Sequence, residues 1–168
     1  MKKMNSTGVK ILKMFHLFFA MLWICGAVSL TTIVYVSEPS TGDELFMRSR
    51  VIQIIDDLII IPGAIGCLLT GIVYGIWTNW GFFKHRWLTV KWIMTILQML
   101  FGTFILGPWV NENVLISDRL REAAFNDPSF ISNFHNTQVW GSVQTSLLLL
   151  YIIISVMKPW KKSKQKDK

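Results

Sequence analysis

At 168 residues the chain is the size of one domain, and its 52% apolar content falls in four long runs rather than in short amphipathic periods. That is the signature of an all-α, integral membrane four-helix bundle forming a single membrane domain over residues 1–168. A formal charge of +7 would suit nucleic acid in a soluble protein, but the basic residues cluster just outside the apolar runs, where they set topology, so nucleic acid is excluded as a partner.

The first span, residues 11–36, holds an apolar run from Met14 to Val36 that follows four lysines and resembles a signal peptide at first sight. It is longer than a secretory core of roughly 7 to 15 residues and no small-x-small cleavage site closes it, so it reads as a spanning helix. His16 lies inside it. A titratable ring in a spanning helix is tolerated mainly when it faces the bundle interior, a cofactor or a water-lined path, which makes it a functional candidate. His16, Ala20, Trp23 and Ala27 share one helical face. The plain structural alternative is a His16 ring bonded to a backbone carbonyl.

An outer loop, 37–50, carries the turn-forming run Glu-Pro-Ser-Thr-Gly-Asp and leads to a second span at 51–77. Asp56 and Asp57 stand about one turn inside its outer end, as candidates either for proton uptake or for ion pairs with Arg48, Arg50, Arg119 or Arg121. Adjacent residues point about 100° apart, so at most one of the two is expected to face the bundle centre. Pro62 is followed by Gly63, Gly66, Gly71 and Gly75, and the Gly71/Gly75 pair is a small-xxx-small face for a homo-oligomer, a membrane partner or a flat ligand.

The third span, 87–110, repeats the helical stripe with Lys91, Thr95, Gln98 and Gly102. His16 and Lys91 reach the same depth if their helices are neighbours. A neutral imidazole beside an ammonium suits an anion such as a propionate, or a metal on His16; otherwise Lys91 snorkels to the interface. In the outer loop at 111–137, Ser117 is expected to cap a short surface-lying helix that Asn-Asp-Pro at 126–128 ends. The fourth span, 138–157, leads to a basic tail at 158–168.

Twelve basic residues on the terminal side of the spans against four in the outer loops put both termini in the cytoplasm of a multi-pass protein of the plasma membrane, read as bacterial. Trp77, Trp80, Trp87, Trp109, Trp140 and Trp160 sit near span ends as an aromatic belt. Met14, Met21, Met94 and Met99 read as gap-fillers, and Cys25 and Cys67 as small buried hydrophobes. His85 in the inner loop and His135 at the outer entrance of the fourth span are the other imidazoles.

Taken in order, Lys13-x-x-His16 followed by Trp23 and Gly26, Pro62 followed by a glycine-rich half, Trp87-Leu-Thr-Val-Lys91, and Lys158-Pro-Trp160 resemble the HemJ-type membrane protoporphyrinogen oxidases and their relatives, the copper-resistance D membrane domain and the DUF2269 membrane proteins. Thr89 stands where that family commonly has His, and Gln98 to Phe104 where it has Tyr-His, which moves the match toward DUF2269. The resemblance implies a four-helix membrane core binding haem b or a porphyrin. His16 would be the ligand, Trp23, Gly26, His85 and Gln98 its surroundings, and Lys91, Asp56 and Asp57 the catalytic groups of an oxidoreductase passing electrons to a quinone or the respiratory chain. Two alternatives stand beside it: copper or small-solute handling, and a non-enzymatic membrane subunit.

Overall fold

The computed structural model describes residues 3–78, 81–83 and 85–158. Every regular element among them is helical: α1 (Ser6–Val36), α2 (Gly42–Ile55), α3 (Ile61–Trp77), α4 (Arg86–Phe101), α5 (Gly107–Leu120) and α6 (Pro128–Met157). A π-helical turn, Asp56–Ile60, joins α2 to α3, a second, Gly102–Leu106, joins α4 to α5, and a 3-10 turn, Arg121–Asn126, follows α5. The result is four antiparallel rods, each long and apolar enough to cross a membrane: Ser6–Val36, Gly42–Trp77, Arg86–Asn126 and Pro128–Met157. Lys84, Trp80, Trp160 and the basic tail after Lys158 lie outside the described residues.

Local chemistry sets the helix ends. The Asn5 side chain accepts from Gly8 N at 2.8 Å to start α1, Thr41 caps α2, and Asp127 accepts from Phe130 N at 2.9 Å ahead of Pro128 to start α6. At the amino end of the bundle, the Lys3 ammonium donates to the carbonyls of Ile76 and Thr78, capping the C-terminus of α3. At the far end, Arg121 adopts a positive φ of 48° and turns the chain out of α5. Glu122 then accepts from Gly42 N at 2.7 Å, so the start of the second rod is tied to the end of the third.

These ends differ from the hydropathy reading. The first outer segment is only 37–41, because α2 begins at Gly42 and not at 51. The second, expected at 111–137, is almost wholly helical, being the continuation of α5, the 3-10 turn and the start of α6. Ser117 caps nothing there: it lies fully buried inside α5 and its hydroxyl donates back to Asn113 O at 2.7 Å. Asn-Asp-Pro does break the chain, but as the N-cap of α6 rather than the stop of a lid. Instead of a surface-lying lid, these extensions form a helical cap around Leu45, Ile116, Ala124 and Phe130.

The core is layered along the rods. Trp23, Ala27, Ala64, Cys67, Leu148 and Tyr151 form the middle layer, and Leu30, Val34, Ile52 and Val110 the next. Glycine permits the closest approach. A Cβ on Gly63 would lie 2.6 Å from the backbone nitrogen of Trp23, and one on Gly66 would enter the Phe19 ring, so α1 and α3 meet through Gly63 and Gly66. Gly71 and Gly75, the expected partner face, receive Trp92 and Phe82 of this same chain.

Candidate functional site

Both π turns precede a proline by the same offset. Ile61 N–H reaches back to Asp56 O ahead of Pro62, and Gly107 N–H to Gly102 O ahead of Pro108. Proline has no N–H to donate and its ring crowds the preceding turn, so the ladder widens just before it. One widened turn sits in the second rod and one in the third. The two rods pack closely where α2 meets α5 and diverge where α3 faces α4. Between them, floored by α1 and α6, is a cavity of about 520 Å³.

Its apolar wall includes Trp23, Ile60, Met99 and Leu148, and its polar wall Asp56, Asp57, Gln98, Thr137, Gln144 and Thr145. Gly102, Gly107 and Gly141 also line it, and a Cβ on Gly141 would meet nothing within 4 Å. Asp57, Thr103 and Asn111 are exposed and mark its mouth. Both aspartates border the cavity, Asp56 partly buried in its wall and Asp57 exposed at its mouth, so no more than one of the two faces inward, as expected for adjacent helical positions.

The polar groups of the wall are unevenly satisfied. Thr31 and Thr145 share a hydrogen bond at 2.9 Å. Gln98 is 4% exposed and its Nε2 donates to Gln144 O at 3.1 Å, which fixes the amide so that Oε1 is the free acceptor, and that oxygen has no partner. Thr137, 6% exposed, likewise has a hydroxyl without a partner. Among the described residues no basic group lies within ion-pair distance of Asp56 or Asp57. Three of the four outer arginines are engaged elsewhere: Arg48 lies over the Phe134 ring, Arg50 donates to Gln53, and Arg121 pairs with Asp43 and Asp118.

His16 occupies a separate place, one layer toward the amino end. Its Nδ1 lies 2.7 Å from Thr70 Oγ1, and its ring meets Tyr74 edge-on at 5.8 Å. The Thr70 hydroxyl hydrogen is committed to Gly66 O at 2.6 Å, so Thr70 accepts from His16 Nδ1–H. That leaves the lone pair on Nε2. Lys91 is within electrostatic reach of His16 and Cys67, but its ammonium donates to Ser155 Oγ at 2.6 Å. His16 and Lys91 are thus held by different helices, His16 by Thr70 of α3 and Lys91 by Ser155 of α6.

Of the other sequence-derived candidates, Trp23, Asp56, Asp57 and Gln98 come together in the cavity, whereas His16, Lys91, Gly26 and His85 do not line it. Gly26 is buried against Ile59 and Ile60 as a packing residue. His85 precedes α4 and stacks on Trp87. Sequence reasoning passed over Thr137, Gly141, Gln144 and Thr145, whose spacing of 4, 3 and 1 marks one face of α6, and it passed over the Gly102–Pro108 relation.

A haem does not suit this cavity. None of the imidazoles lines it, and its charged wall is anionic, where a haem would bring two propionates. Among the described residues no group of three or more His, Cys, Asp or Glu side chains gathers for a metal ion, so His16 has no such cluster around it. No family model, curated protein or solved structure matches the chain.

Proposed function

We propose that the chain is a multi-pass membrane protein, with both termini in the cytoplasm, that handles a small solute in the cavity between its second and third rods. The membrane part is supported by the large apolar side chains that the rods carry on their outside. Leu58, Phe104, Leu69 and Val156 point outward at 57–75% exposure, while Thr70, Gln98, Thr137 and Thr145 are buried. The solute part is carried by one observation, a roomy cavity in which the Asp56 carboxylate stands among apolar side chains with no basic group within ion-pair distance among the described residues. The redox role implied by the HemJ-type resemblance stands second, on the Nε2 lone pair of His16, and lies outside the cavity.

A solute cavity must admit water when empty, and this distinguishes it from a gap in packing. With Cys25 and Cys67 replaced by alanine, Gly141→Cys in native membranes should react with a membrane-impermeant maleimide. Val143→Cys, two residues along α6 and on its exposed apolar side, should not. A Gly141→Cys thiol as inert as Val143→Cys would remove the solute reading.

A further inference from the structure

The mouth of the cavity opens sideways. Of the residues that line it, Asp57, Ile61 and Ile65 on the second rod and Thr103, Pro108 and Asn111 on the third are exposed on the outside of the bundle. Asp57, Ile61 and Ile65 stand four apart, as do Thr103, Gly107 and Asn111, so each rod offers one stripe and the two stripes edge a slot between the rods. The slot is closed at both ends. Toward the cap, Gln53 Nε2 donates to Asn111 Oδ1 at 2.6 Å where α2 packs on α5. Toward the amino end, Trp92 of α4 seats against Gly71 of α3, where an added Cβ would lie 3.3 Å from its ring.

The slot is also graded. Its cap end carries Gln53, Asp57 and Asn111, whereas further along it runs past Ile61 and Ile65, and the flanking Leu58 and Phe104 are 69% and 70% exposed, as side chains that meet lipid would be. We propose that the cavity is loaded sideways from the bilayer with a single-chain lipid bearing an uncharged, hydroxylated head, its chain passing inward at Ile61 and Ile65 and its head staying at Asp57 and Asn111. This rests on the cavity being a solute site in a membrane-spanning protein. Inside, about 520 Å³ walled in part by Trp23, Met99 and Leu148 suits an apolar chain. At the lip, Arg50 donates to Gln53 Oε1, which turns Gln53 Nε2 toward Asn111 Oδ1 and leaves Asn111 Nδ2 as a donor, while Asp57 is an acceptor. A hydroxyl group both accepts and donates, and so answers both, whereas a carboxylate or phosphate head meets like charge at Asp57.

The test uses the full-length protein in phosphatidylcholine nanodiscs and a monooleoylglycerol that carries a diazirine in the middle of its chain. Irradiation is expected to give adducts that saturate with probe and map by mass spectrometry to Trp23, Met99 or Leu148. Excess unlabelled monooleoylglycerol should remove them. Glycerol, the head alone, should not, and methyl oleate, the chain without hydroxyl groups, should compete at least roughly fivefold less well. Gly141→Trp, which fills the open space beside Gly141, should abolish the adducts. The competition is read on the unmodified protein, so it stands whatever that variant does to folding.

Adducts confined to outward side chains such as Leu58 and Phe104, labelling that does not saturate, or equal competition by glycerol or methyl oleate would each overturn the lipid assignment. Adducts that persist in a folded Gly141→Trp protein would do the same. The underlying solute reading fails on a different result, an unreactive Gly141→Cys, because the water-borne maleimide enters by the polar end of the slot. The two failures are therefore separable.

Discussion

Thr70 decides what His16 can do. Because its hydroxyl hydrogen is spent on Gly66 O, the imidazole must donate from Nδ1, and the nitrogen left free is Nε2. Nitrogen NMR of the ring should report the Nδ1–H tautomer. Thr70→Val, which removes the acceptor at nearly constant volume, should release that preference and cost about 1 kcal/mol of stability. An Nε2–H tautomer in the unmodified protein would contradict the assignment. The inward stripes are the part of this that the sequence makes legible: spacings of 4, 3 and 4 put His16, Ala20, Trp23 and Ala27 on one face, and Trp23 and Ala27 are indeed buried. The partner of His16 is not legible, because Thr70 lies 54 residues away and only the packing of α1 on α3 brings it near.

At the scale of elements, prolines and glycines do different work from that their spacing suggests. Pro62 and Pro108 each follow a π turn, and the paired bulges hold the second and third rods apart at the cavity. Gly63 and Gly66 carry the tight α1/α3 contact, while the more conspicuous Gly71/Gly75 pair accommodates aromatic rings. Glycine-to-alanine substitutions should separate these roles. Gly63→Ala drives a methyl into the Trp23 backbone and should destabilise by about 1–3 kcal/mol. Gly141→Ala meets open space on a helix and should be stabilising by about 0.5–1 kcal/mol. Denaturation of both variants in the same detergent checks this, and equal losses would show that the cavity is not open beside Gly141.

Element boundaries were the least legible feature, for a physical reason. A hydropathy run ends where the chain becomes polar, whereas a helix ends where its backbone loses partners or meets a cap. The polar stretches 42–50 and 111–120 keep helical hydrogen bonding, so α2 and α5 run past the apolar spans into the cap around Leu45 and Phe130. Thr41 and Asp127, residues with capping side chains, are where the breaks fall.

The whole molecule is apolar on its outside as well as in its core, unlike a water-soluble bundle. Its rods present leucine, isoleucine, phenylalanine and valine outward and keep threonine, glutamine and asparagine inside, which suits a solvent that offers no hydrogen bonds. The longest rod, Arg86–Asn126, has 41 residues, or about 60 Å at helical rise, roughly twice the hydrocarbon thickness. The polar cap at the far end accounts for the surplus. Nine of the ten acidic residues lie in the cap or beside the cavity mouth, and the basic residues favour the terminal side. The proposed function requires that the chain cross the bilayer four times with the cap outside.

That requirement is tested most directly by single-cysteine accessibility in intact cells, in the background lacking Cys25 and Cys67. Ser40→Cys, between α1 and α2, should react with an impermeant maleimide without permeabilisation, and Lys3→Cys and Lys158→Cys only after it. The reverse pattern, with Ser40→Cys protected and the terminal positions reactive in intact cells, would contradict the orientation. A protein released from the membrane by alkaline carbonate with all three positions equally reactive would contradict the four-span account itself.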